Sequence, residues 1–258
     1  MATPSPPPEL GVLAVTALLD LSGERGPSGN AQRNALQLWL DRRGTGVPVQ
    51  PAVRLKVVDV AGSDARLLIE LRRAAEEDRA DAVIVGSPVA MASTFGQVVA
   101  LAALPVVLTL PFPEPVAQPG GRWIFALAPA HDALARYALG APAAPGVTLE
   151  LTSGSPASAA ESTALREESS RRGAQLTTIR VDRARDDPPL ATLARTLAVA
   201  GRVHVTGAPR EYAGIAQAIQ QSATAATFQL SYLADPADLG DFRDRAIDAT
   251  WAGSRNSA

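Results

Sequence analysis

The sequence predicts an α/β protein of two lobes, each a parallel sheet with helices on its faces. Three observations carry this. Short continuous apolar runs of strand length alternate with helical stretches of roughly 10 to 15 residues, the pattern of strands buried on both sides. The alternation occurs twice, once on either side of a bridge at Pro129 to Pro145. Loops rich in Gly and Ser follow the strands, at the carboxyl ends where ligands sit in such sheets.

In the first pass Leu10 to Val15 is a strand, and Gly29 leads into a helix with Ala31, Ala35, Leu36, Leu38, Trp39 and Leu40. Leu55 to Val60 is the second strand. Ser63 is placed to cap the next helix, which carries Leu67, Leu68 and Leu71 on its apolar side. Asp81 to Gly86 is the third strand and opens into a helix from Ala92 to Ala103; Pro105 to Leu110 and Trp123 to Leu127 follow as strands. In the second pass the strands are Val147 to Leu151, Gln175 to Val181, Val203 to Thr206 and Thr227 to Leu230, and the helices Pro156 to Arg172, Leu190 to Ala200 and Arg210 to Gln221. The expected division is a linker over 1–9, an N-terminal lobe over 10–128, a bridge over 129–145, a C-terminal lobe over 146–250 and a tail over 251–258.

At 258 residues the chain has room for two cores. A net charge of −2 offers no basic footprint for nucleic acid. Lys56 is the only lysine against 23 arginines, which reads as coding bias rather than chemistry. The absence of cysteine removes disulfides, thiolate catalysis and Cys-ligated zinc together. The longest apolar stretch, Val98 to Leu110, is too short to span a bilayer and is broken by Pro105. Met1 to Pro8 reads as an extended linker left by a removed signal or anchor, or as an ordinary disordered terminus.

The segment Gly11 to Ala14 through Leu21-Ser22-Gly23, with Gly29 and Ala35 to Asp41, resembles the opening of the type I periplasmic binding proteins of the branched-chain amino-acid (leucine/isoleucine/valine) transporter class. So does the order that follows: Asp59, the Asp81 to Gly86 strand, Leu104 to Val107, and Arg122 to Phe125 running into Pro129. Gly173 before Gln175, and Leu233 to Pro236, are similar to that family in the second lobe. The matches cover roughly residues 10 to 250 and include no single diagnostic motif. The resemblance implies two Rossmann-like lobes closing on a small molecule, no cofactor, a membrane permease or membrane-anchored signalling partner, an extracytoplasmic location and a monomer.

It also implies the candidate ligand-binding residues: Ser22, Gly23 and Ser28 in the first loop, Ala90, Met91 and Ser93 in the second, Leu110 and Phe112 in the third, and Ser155, Thr206, Gly207 and Tyr232 in the second lobe. Unpaired amides at loops and helix N-termini favour an anion such as a carboxylate there. Three departures bear on the ligand. The position where the family offers a ligand-binding Ser falls at Val89 or Ala90. The small-residue and Thr pair falls near Leu110-Pro111 and Phe112, where Pro111 also removes an amide donor. The loop Leu230-Ser231-Tyr232-Leu233, where an acidic partner for an ammonium group is usual, carries no carboxylate. The ligand expected is therefore more apolar or aromatic than a simple amino acid, or absent. Members of the family also continue well beyond the equivalent of Asp235-Pro236, so a C-terminally shortened receptor domain, or a fragment of one, is expected.

Each candidate has a structural reading beside the functional one. Ser22, Gly23 and Gly29 also suit a turn before a helix, and Ser87, Ser93 and Thr94 suit helix caps. Thr206-Gly207 and Gly154-Ser155 sit at strand ends. His131 opens the bridge helix and His204 lies inside a strand, so they make no metal pair. Glu76 to Asp78 and Arg171-Arg172 read as solvated helix-end charges. Gly86-Ser87-Pro88 and Gly207-Ala208-Pro209 lack the spacing of a phosphate loop or dinucleotide fingerprint. Three functions stay open: a solute-binding protein or receptor domain, a degenerate sensor that binds nothing, and an α/β enzyme. No catalytic residue is assigned, because no nucleophile has a base and orienting acid placed by motif and no Gly-x-Ser-x-Gly elbow is present.

Overall fold

The structure, a computed structural model, describes residues 11–23, 25–43, 52–89, 91–112, 118–140, 147–154, 156–181, 189–207 and 226–231. The chain divides into two units. The first comprises Met1–Ser87, Met91–Thr109 and Pro115–Leu127, and the second Pro88–Ala90, Leu110–Glu114 and Ala128–Ala258. The expected linker, tail and Arg210 to Gln221 helix lie outside the described residues.

The first unit runs β1 (Leu13–Leu19), α1 (Gly26–Arg43), β2 (Val53–Asp59), α2 (Asp64–Glu76), β3 (Ala82–Val85), α3 (Ala92–Ala102), β4 (Val106–Leu108) and β5 (Ile124–Ala126). Its strands pair in parallel in the order β2-β1-β3-β4-β5. Right-handed crossovers then place α1 on one face and α2 and α3 on the other, because the chain reverses direction across the sheet after β2. Leu67 and Leu71 of α2, Phe95, Val98 and Val99 of α3, and Leu18, Leu19, Val83 and Val106 are all buried. Ser63 caps α2 as expected, its hydroxyl accepting from the Arg66 N–H. The outer strand β2 keeps Arg54 and Lys56 exposed, and such charges discourage edge-to-edge pairing.

The first strand departs from the expectation. It begins at Leu13 and continues to Leu19, beyond Val15. Thr16 does not interrupt the apolar run: it is buried and pairs in register with Lys56 and Val83. Ala17, Leu18 and Leu19 are fully buried, whereas Val12 is largely exposed.

The second unit contains α4 (His131–Gly140), β6 (Val147–Thr152), α5 (Pro156–Arg171), β7 (Leu176–Arg180), α6 (Leu190–Ala198), β8 (Ala200–Thr206) and β9 (Thr227–Leu230). Its parallel sheet has the order β7-β6-β8-β9. Strand β8 starts at Ala200 rather than Val203, so α6 ends before Ala200; Ala200 and Arg202 already pair with Val147 and Thr148. One face of the sheet is apolar, with Leu149, Leu151, Val203, Val205 and Phe228 against Leu193 and Leu197 of α6. Side chains alternate along a strand, and the opposite face carries the buried Glu150, Thr152, Arg202, His204, Thr206 and Gln229. α5 covers that face with buried Ser158, Ser162, Glu168 and Ser169.

α1 enters the sheet by a close approach at Gly29, where a Cβ would lie 1.9 Å from the backbone oxygen of Asp20. Backbone cannot yield as a flexible side chain does, so Gly29→Ala is expected to destabilise the first unit by about 2 kcal/mol or more. Gly11→Ala, which meets nothing within 4 Å, serves as the neutral control. Urea unfolding of both variants checks this; equal midpoints would refute the close approach.

Candidate ligand site at the strand ends

Parallel strands all end on one edge, and each sheet has one place where neighbouring strands connect in opposite directions. That switch point lies between β1 and β3 in the first unit and between β6 and β8 in the second. Crossovers leave there to opposite faces and open a crevice.

In the first unit the crevice is built around Asp20, which directly follows β1 and is 1% exposed. Its carboxylate accepts from the Gly62 N–H at 2.7 Å and the Ser87 hydroxyl at 3.0 Å, and lies 3.4 Å from Nε of Arg25. One side chain thus ties the ends of β1, β2 and β3 together. Asp59, the last residue of β2, accepts from the N–H of Leu21 and of Ala61 and from the Ser22 hydroxyl at 2.6 Å. The Ser22 hydroxyl, ahead of the other bonds, holds the Asp59 carboxyl below its ordinary range. Gln32 of α1 bridges the next pair of strands: its amide donates to the Gly86 carbonyl, and its oxygen accepts from the Thr109 hydroxyl at 2.9 Å. A Cβ at Gly86 would lie 2.1 Å from that Gln32 oxygen, so a larger residue there would push the Gln32 side chain from its place.

Of the candidates, Ser22, Gly23, Ser28, Met91 and Ser93 belong to the first unit and fall on this edge. Ser22 and Gly23 are exposed in the β1–α1 loop, with Gly23 at φ +73°. Ser28 is half-buried in the first turn of α1. Met91 is exposed at the N-cap position of α3, which has no side-chain cap bond, and Ser93 is exposed in the first turn. Ser87 and Ser93 therefore do not cap α3; Ser87 serves Asp20 instead. Leu110, half-buried, and Phe112, 1% exposed, belong to the second unit. Ala90 lies outside the described residues.

In the second unit Glu161, from the second turn of α5, reaches the ends of β8 and β9. Its Oε2 accepts from the Ser231 hydroxyl at 2.6 Å and the Gly207 N–H at 3.3 Å. Burial pushes the carboxyl up to about 7, opposed by the bonds from Ser231 and Gly207 and assisted by the nearby Glu150 charge. Glu150 is fully buried and accepts from the hydroxyls of Thr178 and Thr206. Of the candidates here, Thr206 is buried in this network and Gly207 donates to Glu161. Ser155 and Tyr232 lie outside the described residues. Ser153 and Gly154 follow β6, where the Gly154 N–H donates to the Thr152 hydroxyl.

The sequence reading passed over Asp20, Gln32, Glu150 and Glu161. Asp20 had a signal, an acidic residue ending an apolar run. Glu161 had none, because a Glu in a helix of small residues reads as solvent-facing. Arg171 and Arg172 are exposed at the end of α5, and both pair with the buried Glu168. His204 is buried in β8, and burial lowers it to about 3, so it is neutral; His131 falls to about 4 for the same reason. Among the described residues no group of three His, Asp or Glu side chains is placed to hold a metal ion. Among them also, no helix is long and apolar enough to cross a membrane.

Glu161 gives a pH signature. Its folded pKa lies above the ordinary 4.5, so the native state holds its proton more tightly than the unfolded chain. Stability is greatest below about 4.5 and falls as pH rises through about 7, by on the order of 3 kcal/mol at most. The buried histidines act oppositely below 6.5, so the comparison is made against Glu161→Gln at each pH. The variant is expected to match the parent at pH 5 and to exceed it at pH 8 in urea unfolding. A variant less stable than the parent at pH 8 would contradict the assignment.

No protein-family model matches the chain, and no curated protein matches it. Solved structures do. The chain is similar to a leucine-binding protein from Thermotoga maritima MSB8, with 18% identity and a TM-score of 0.63 over 89% of this chain and 66% of that one. It is similar to a branched-chain amino-acid ABC transporter protein from Thermus thermophilus with bound valine, with 15% identity and a TM-score of 0.70 over 89% and 61%. A solute-binding protein of an ABC transporter from R. palustris, in complex with benzoate, matches at 15% identity and a TM-score of 0.67 over 90% and 65%. The chain thus spans about two thirds of the length of these structures. What they share with it is architecture: the fold is that of the type I periplasmic binding proteins.

Proposed function

We propose that the chain is a solute-binding protein or receptor domain of the extracytoplasmic type, taking a small apolar or aromatic acid at its strand-end loops. The observation that carries this is the switch point of each sheet, where the loops after β1 and β3 and after β6 and β8 lie side by side, fixed in place by Asp20 in the first unit and Glu161 in the second. Such a crevice is where open α/β sheets bind ligands. Support for an apolar ligand comes from Met91, exposed at the start of α3, and from Leu110, half-buried beyond β4, where hydroxyls are usual in the family the sequence resembles. The solved structures of the same fold with bound valine and benzoate support a small carboxylate as the chemical class. Delivery to a membrane permease or a membrane-anchored signalling partner, a monomeric state and the lack of catalysis belong to the same proposal. A degenerate domain without a ligand is the second reading, favoured by the loss of hydroxyls at Val89 and Ala90 and near Leu110 to Phe112.

Thermal-shift screening tests this, since a ligand bound only by the native state raises its stability with concentration. Benzoate and larger aromatic acids are expected to raise the midpoint more than leucine or valine. Stabilisation by leucine or valine with no response to aromatic acids would overturn the ligand class. No response to any small carboxylate would favour the degenerate reading.

A further inference from the structure

The first unit holds a second concave site at the edge of the sheet opposite the strand ends. A pocket of about 530 Å³ is lined by Ala100, Gln118, Gly120, Gly121, Arg122 and Trp123. Ala100 belongs to the last turns of α3, and a short 3-10 turn, Gly121–Trp123, leads directly into β5. Both therefore lie at the amino-terminal edge, a strand's length away from Asp20 and Thr109.

Its chemistry differs from that of the strand ends. The Arg122 guanidinium lies over the Trp123 ring, 5.3 Å from the centroid. The guanidinium carries a planar fork of N–H donors that matches a carboxylate. Arg122 is exposed, and no carboxylate among the described residues pairs with it. The Trp123 Nε1 is buried and donates to no acceptor among them. The remaining wall is Gln118, Ala100 and the backbone of the Gly120-Gly121 turn. Gly120 has φ +70°, and a Cβ there would lie 2.6 Å from the Gly96 oxygen and 2.7 Å from the Ala100 nitrogen. The turn is thus wedged against α3 and presents a preformed floor. The volume falls within the range of small-molecule sites, and a flat apolar wall with one convergent charged group is their usual composition.

We propose that this pocket is a binding site for a small planar carboxylate, with Arg122 holding the carboxylate and the Trp123 ring and the glycine turn holding its flat body. The site is independent of the strand-end crevice and of whatever that crevice binds.

The test uses 2-naphthoate as probe and the whole chain labelled with ¹⁵N, with the Trp123 indole signal assigned by Trp123→Phe. A saturable shift of that signal is expected. Arg122→Gln should weaken binding about tenfold or more, the weight of a charge-assisted pair. Because Arg122 is exposed, the variant should keep the parent's thermal midpoint. The neutral 2-naphthamide should bind weaker by a similar factor, and Ala100→Phe, which fills the pocket from an exposed position, should abolish the shift. The proposal is overturned if Arg122→Gln binds as the parent does, if the amide binds as well as the acid, or if the shift does not saturate. It is equally overturned if perturbations appear at Ser87, Thr109 or Gly207 without Trp123, which would assign the probe to the strand ends alone.

Discussion

Parallel pairing with right-handed crossovers is the constraint on which the rest depends. It brings every strand of a sheet to an end on the same edge, so loops far apart in sequence become neighbours there without any contact having been selected for that purpose. The edge then requires polar groups of its own, because loop amides and carbonyls at the switch point are withdrawn from water and need partners. Asp20 answers that need in the first unit by gathering the Gly62 amide, the Ser87 hydroxyl and Arg25 around one carboxylate. Glu161 answers it in the second by joining Gly207 and Ser231. Both are acceptors placed between donors, so the donors of the inner loops are largely committed and the exposed outer positions, Ser22, Gly23, Met91 and Ser93, face solvent at the rim.

The two sheets meet the same constraint differently. The first has ordinary apolar burial beneath α2 and α3. The second places Glu150, Arg202, His204, Thr206 and Gln229 on one buried face, against a helix bearing serines and glutamates. Buried polar layers are costly unless satisfied. Here Glu150 has two threonine hydroxyls, and Arg202 donates to the Leu139 carbonyl of α4. Burial holds His204 neutral. The apolar contribution to this unit comes chiefly from the other face, where α6 covers the sheet.

Most of the fold was legible because buried parallel strands are written as continuous apolar runs, and because α2, with Ser63 before it and Leu67 and Leu71 four apart, obeys the rules of amphipathic helices. The β1 boundary was misread because Thr16 looks like a stop, although a β-branched residue suits a strand interior. α1 was read from the apolar pattern of Ala31, Ala35, Leu36, Trp39 and Leu40, and α5 from its position between strands. The site was less legible. Ser22, Met91 and Thr206 could be placed near strand ends from spacing alone. The side chains that organise those ends act across 28 to 77 residues of sequence, as in Glu150 with Thr178 and Gln32 with Thr109. No local pattern encodes such pairs. Gln32 and Glu161 became visible only once the sheets had aligned them; of the three, Asp20 alone had a local signal, an acidic residue ending an apolar run.

Hydrogen exchange read by mass spectrometry, with and without benzoate at saturating concentration, tests the central claim most directly. The account predicts slowed exchange in strand-end segments: those after β1 and β3, residues 20–29 and 86–94, or those after β6 and β8, around residues 153–158 and 207. Protection confined to other surfaces, with these segments unchanged while benzoate binds, would contradict it.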